Sequence, residues 1–141
     1  MPDSIDLAHE TAELLRLHVQ DRQAHFGLDP ALILAHQGEP FVTVGHGRID
    51  EASRDDVGAH FTRYFAGAAY IEWDDLEPPR VRVSADASLA WMIVRNRVRR
   101  SQTQPDGTVV QRQFVYAGLT GYEKRDGTWY RIANVSTFEP D

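Results

Sequence analysis

The sequence predicts an α+β domain in which a long antiparallel meander curves around helices supplied by the first half of the chain. Three observations predict it. Helical periodicity dominates up to Phe65, and β alternation dominates from Tyr70 onward. Two Asp-Gly pairs, Asp106-Gly107 and Asp126-Gly127, stand between long alternating runs, where they read as hairpin turns.

Ser4 to about His25 reads as a helix capped by Asp3 or Ser4. Ala8, Ala12, Leu15 and Val19 form its apolar stripe, Leu7, Leu14 and Leu17 broaden it, and Gly27 closes the helix. Asp29 as N-cap and Pro30 at the first helical position open a short second helix to about His36, ended by Gly38 and Pro40. Phe41 to Val44 reads as a strand, broken by Gly45, His46 and Gly47. A third helix begins at Ser53, which forms an acidic capping box with Asp56. Its buried face is Val57, Phe61, Tyr64 and Phe65, and Gly67 stops it. Strands then fall near 70–77, 80–84, 88–103, 108–124 and 128–138. The turns are Pro78-Pro79, Ala85-Asp86-Ala87, Pro105-Asp106-Gly107 and Arg125-Asp126-Gly127. A strongly curved sheet with the helices on its concave face buries everything this order offers. The two long final strands exclude a parallel α/β fold.

The 141 residues fit one domain, 1–141, and 42% hydrophobic content supplies a core. Without cysteine there are no disulfides or thiolate metal sites. The opening MPDSIDLAHE carries early acids and no apolar run, unlike a signal peptide, and no stretch is apolar enough to span a bilayer. A cytoplasmic protein without membrane contact is the expectation. The net charge of −6 argues against a nucleic-acid partner. Of 15 basic residues only Lys124 is a lysine, which suggests a GC-rich bacterial genome. No phosphate loop, nucleophile elbow or dinucleotide fingerprint is present, and no histidine pair has ligand spacing, so neither cofactor nor metal is expected. The acidic stretch Glu72, Asp74, Asp75 and Glu77 is expected to pair with Arg80 and Arg82 or to face solvent.

Three segments carry a family resemblance: DPALILAHQGEPFVTVGHG, SRDDVGAHFTRYFAG and FVYAGLTGYEKRDGTWYRIANVSTFE. In this order they resemble the SnoaL-like branch of the nuclear transport factor two-like superfamily, over almost the whole chain. The resemblance implies a cone-shaped sheet with three helices packed on its concave face, a pocket between them, and often a homodimer. Members of that superfamily include ketosteroid isomerases, polyketide cyclases, dehydratases, ligand-binding modules and association domains, so the fold leaves the function unassigned.

Strand pairing nominates the pocket residues. A three-residue loop at Arg125-Asp126-Gly127 pairs Tyr122 with Tyr130, Thr120 with Ile132, Gly118 with Asn134 and Tyr116 with Ser136, all on one face. The Pro105-Asp106-Gly107 turn adds Arg95, Arg97, Trp91 and Ile93 to that face. The opposite face holds Met92, Val94, Val98, Val115, Ala117, Leu119, Ala133 and Val135, and its apolar character suggests a homodimer interface. A one-residue slip exchanges the faces. The resemblance supports this assignment, because the last strand of ketosteroid isomerases lines the pocket at positions matching Ile132, Asn134 and Ser136.

His46 is the candidate catalytic residue: an imidazole moves protons near neutral pH. The resemblance places it roughly where the isomerases carry a general-base carboxylate. Arg95, Tyr116, Asn134 and Ser136 are the candidate binding residues, able together to hold a carboxylate or enolate oxygen. The alternative is a structural cluster in which Arg95 pairs with a helix carboxylate such as Asp21. Departures from the isomerase pattern are Gly118, where an acid would stand, and Val19 to Arg22, where a tyrosine would stand. Two readings follow. One is a binder, or proton-transfer enzyme, for a small apolar carbonyl or carboxylate compound. The other is a non-catalytic homodimeric association or stress-related module. A cavity filled by Trp91, Phe114 and Tyr122, with His46 pointing outward, favours the second.

Overall fold

The computed structural model describes residues 4–140, except the side chain of Pro140. The elements are α1 (Leu7–Phe26), α2 (Pro30–Leu34), β1 (Gln37–Gly45), β2 (Arg48–Ala52), α3 (Arg54–Phe65), β3 (Ala68–Asp75), β4 (Arg80–Val83), β5 (Leu89–Thr103), β6 (Val109–Arg125) and β7 (Thr128–Pro140). The strands form one open, curved sheet in the order β2-β1-β7-β6-β5-β3, with β4 following β3 along the free edge of β5. Among the described residues, only β1 and β7 run parallel. The three helices pack on the concave face.

Asp6, not the expected Ser4, caps α1 by accepting from the His9 N–H at 3.0 Å; the other expected cap, Asp3, lies outside the described residues. The buried stripe of α1 is Glu10, Leu14, Leu17 and Ala24, while Leu15 and Val19 face outward. The stripe carries a carboxylate, and that hides it from a reading by hydropathy. Glu10 is buried because the sheet supplies its partners. Lys124 Nζ donates to one carboxylate oxygen at 2.7 Å, and the Trp129 indole N–H donates to the other at 2.7 Å. The Lys124 hydrogen bond, helped by Trp129, holds the Glu10 carboxyl below the ordinary glutamate range against the opposing effect of burial.

The Ser53 capping box opens α3 as expected: Ser53 Oγ accepts from Asp56 N at 3.1 Å and Asp56 accepts from Ser53 N at 3.1 Å. The strand β2 was not expected. Its five residues are mostly polar, it lies at the sheet edge, and Ile49 is its most exposed apolar side chain, so no alternation marks it. His46 and Gly47, with φ of 53° and 73°, are the two central residues of the turn joining β1 to β2.

Two turns decide which side chains face inward. Pro105-Asp106-Gly107 is a three-residue loop closed by Gln104 and Thr108, and it pairs Asn96 with Tyr116 and Val98 with Phe114. The even-numbered residues of β5 therefore face the helices, and the face expected for that strand is reversed by one residue. Met92 and Val98 lie in the core; Trp91, Ile93 and Arg95 lie outside. Asp126-Gly127 is a two-residue turn, so Tyr122 pairs with Arg131 rather than Tyr130. A bulge at Ile132 then restores the inward placement of Asn134 and Ser136.

Replacing Glu10 by Leu leaves the Lys124 ammonium and the Trp129 N–H without their acceptor. The expected loss is about 2 kcal/mol in urea unfolding. Because the Glu10 carboxyl is held low, its contribution in the wild type is present above the ordinary glutamate range and fades as pH falls through the lowered value. The Leu variant loses that part of the acid sensitivity.

Candidate functional site

A cavity of about 680 Å³ lies between the concave face and the helices, within the size range of small-molecule sites. Phe41, Phe61, Tyr64, Trp73, Phe114 and Phe138 give it aromatic walls. Its ionic group is one that sequence reasoning missed. Arg131, 7% exposed, bonds Asp21 Oδ1 at 2.7 Å, Gln37 Oε1 at 3.4 Å and the carbonyl oxygen of Ile33. Its signal was the length of the Asp126-Gly127 turn, which sets the parity of β7.

The second polar group joins Tyr116, Thr120, Asn134 and Ser136. Asn134 Nδ2 donates to the Tyr116 oxygen at 3.1 Å and to Thr120 Oγ1 at 3.0 Å, and Ser136 Oγ donates to Asn134 Oδ1. Gly118 makes this possible. A Cβ there would clash with the Tyr116 phenol, which lies along the sheet over the glycine. The position that carries an acid in the resembled isomerases is thus occupied by the ring of Tyr116.

Three of the sequence-derived candidates, Tyr116, Asn134 and Ser136, line the cavity together. Two do not join them. Arg95 stands on the outer face of β5, because the β5–β6 register is one residue from the expected one. His46 is exposed at the β1–β2 turn, with its ring parallel to Phe138 at 6.4 Å between centroids. The left-handed backbone that the turn requires carries His46 out past the rim. The helix carboxylate Asp21 pairs with Arg131, not with Arg95. Arg100 runs inward, stacking on Tyr64 with 4.0 Å from its guanidinium carbon to the ring centroid and donating to Tyr64 O at 3.1 Å. The acidic stretch is paired in part: Asp75 with His18 at 2.8 Å, Asp74 with Arg22 at 3.5 Å and Glu77 with Arg80 at 3.0 Å.

His25 lines the same cavity, packed against Trp73, Tyr70, Phe65 and Phe61. Its Nδ1 lies 2.7 Å from the carbonyl oxygen of Asp21. A carbonyl only accepts, so Nδ1 carries the proton and Nε2 keeps the lone pair. Burial disfavours the imidazolium and pushes the pKa down, with the Asp21 carbonyl opposing. Two carboxamides also face the cavity with unpartnered polar atoms: both Nδ2 and Oδ1 of Asn96, and Nε2 of Gln37.

No family model matches the chain, and no curated protein matches it either. Solved structures do. A ketosteroid isomerase-like protein from Erwinia carotovora superimposes with a TM-score of 0.70 at 15% identity, covering 94% of this chain and 98% of that one. A protein named for a calcium/calmodulin-dependent kinase II association domain, from Exiguobacterium sibiricum, gives 0.71 at 13% identity, covering 100% and 98%. The chain has the nuclear transport factor two-like fold. A protein described by that fold name, from Cytophaga hutchinsonii, gives 0.65 at 14% identity, covering 88% and 93%. These identities speak to the fold alone. Among the described residues, no helix is long and apolar enough to cross a membrane.

The lowered pKa of His25 predicts a pH signature. The unfolded chain takes up a proton near pH 6.5 while the folded chain resists it, so stability falls as pH drops below 6.5 toward the folded value. His60 adds to the same trend, its pKa lowered by burial and by Arg63. His25→Gln should flatten the fall measured by urea unfolding between pH 7.5 and about pH 5. An unchanged slope contradicts the buried, neutral imidazole.

Proposed function

We propose that this chain binds a small, largely apolar molecule bearing a carbonyl or carboxylate group in the cone cavity. The observation that carries this reading is the cavity itself, open between sheet and helices, walled by aromatic rings and edged by polar groups. Phe114 and Tyr122 line the cavity without filling it, and Trp91 points away from it, which favours a ligand site over an incidental packing defect. Tyr116, Asn134 and Ser136 serve as one polar wall. The net charge of −6 favours a protein without a nucleic-acid partner.

A catalytic extension rests on His25 rather than on His46, whose outward position favours the non-catalytic reading. A neutral imidazole with a free Nε2 can take a proton from the carbon beside a bound carbonyl. The network around Tyr116 can donate to the developing oxygen charge. Deuterium wash-in beside the carbonyl of a bound ketone, lost in His25→Gln, supports the extension. Binding without wash-in leaves a pure binding module.

The convex face suggests the association reading as a companion rather than a rival. Val44, Trp91, Ile93 and Val135 are each exposed there, beside Val115, Ala117, Leu119 and Ala133. A homodimer across this face covers them. Sedimentation should give twice the 16.0 kDa mass of the chain, reduced to the monomer by Val135→Glu. A monomeric wild type at micromolar concentration overturns the dimer.

The cavity is tested by a thermal-shift screen of apolar ketones, carboxylates and fused-ring compounds. A compound at a hundredfold excess over its Kd should add about 2.7 kcal/mol, a shift of several degrees. No shift with any of them rejects the ligand-site reading.

A further inference from the structure

Asn96 sits mid-strand on β5, hydrogen-bonded on both sides, with Asp75 opposite on β3 and Tyr116 opposite on β6. It is 1% exposed and lines the cavity, yet neither atom of its carboxamide has a partner in the protein. Asn134, on the same cavity, spends its amide on Tyr116, Thr120 and Ser136. The contrast is informative. A buried amide left unpaired is costly, and an apolar residue of similar size would cost nothing at this position. Gln37 repeats the pattern: its Oε1 is held by Arg131, and its Nε2 is left without a partner.

The chemistry of the missing partner follows from the atoms. A carboxamide offers a donor and an acceptor side by side, and it pairs in two-point fashion with a molecule presenting acceptor and donor side by side. Charge narrows the class further. The cavity lining carries Asp21, Asp50 and Asp56 against Arg131, which is already bonded to Asp21. An anionic ligand is therefore disfavoured. The shape of the remainder follows from the walls: Trp73 and Phe114 flank Val98, the next inward residue of β5, and present flat aromatic surface.

We propose that Asn96 is the polar anchor of the cavity, and that it selects an uncharged, flat, apolar molecule with an amide-type edge, such as a carboxamide or lactam. This rests on the cavity being a ligand site and narrows its ligand from carbonyl or carboxylate compounds to uncharged ones.

Binding of 2-naphthamide, methyl 2-naphthoate, 2-naphthoate and naphthalene, measured by calorimetry on the full chain, tests it. The wild type should prefer the amide over the ester by at least about tenfold, with the carboxylate weakest. Asn96→Leu should bind amide and ester alike, and should unfold at a higher temperature than the wild type without ligand. Asn96→Val, which also removes both the donor and the acceptor, provides the second variant if the first misfolds, and should also lose the preference. An ester bound as tightly as the amide, or a tenfold preference that survives both substitutions, overturns the role of Asn96 and leaves the ligand site standing. Failure of all four compounds to bind overturns both.

Discussion

Between Gly121 and Tyr122 the partner of β6 shifts by one residue, because Ile132 on β7 has no opposite number. That single extra residue puts both ends of β7 to work on the same side of the sheet. Before it, Trp129 and Arg131 point at α1; after it, Asn134, Ser136 and Phe138 point into the cavity. Strict alternation would send one of these groups to the convex face. The two polar anchors of α1 also depend on it. Trp129 meets Glu10 near the start of the helix, and Arg131 meets Asp21 near its end, so the helix is held at both ends by neighbouring inward residues of one strand. Gly38 contributes from the other side: a side chain there would run into the backbone of Arg131.

Fixing α1 in this way fixes the cavity wall. His18, Asp21 and His25 occupy successive turns of the helix and all reach the lining. The polar groups of the cavity then fall into two kinds. Asp21 with Arg131, and Asn134 with Tyr116, Thr120 and Ser136, are paired among themselves and hold the walls. Asn96 and Gln37, together with the Tyr70 hydroxyl and the Trp73 indole N–H, are not fully paired. Residues of the first kind define the shape of the site. Residues of the second kind carry polar atoms that no protein group bonds.

Apart from β2, the order of the elements was legible in the sequence because caps and turns agree with periodicity at most boundaries: Ser53 with Asp56, Asp29 with Pro30, and the two Asp-Gly turns. The inward faces were legible only in part. Tyr116, Asn134 and Ser136 face inward as the strand pairing expects, because an error of turn length and the Ile132 bulge cancel in parity. On β5 no bulge compensates, so Arg95, expected in the cavity, stands outside it and its neighbour Asn96 lines it. Hydropathy offered no correction there, since Trp91, Ile93, Met92 and Val94 are apolar on both faces. On α1 the failure had a different cause. Glu10 looks like a surface residue until Lys124 and Trp129 are brought to it from more than a hundred positions away. His46 was misplaced because a Gly-His-Gly break and a two-residue hairpin turn look alike when the following strand is short and polar.

In the proposed function, the cone encloses a ligand site whose unbonded polar group is the Asn96 carboxamide. A high-resolution crystal structure of the purified protein tests this most directly. The expected result is an open cavity with electron density within hydrogen-bond distance of both Asn96 Nδ2 and Oδ1. A cavity closed by side chains, with the Asn96 carboxamide bonded to protein neighbours, would contradict it.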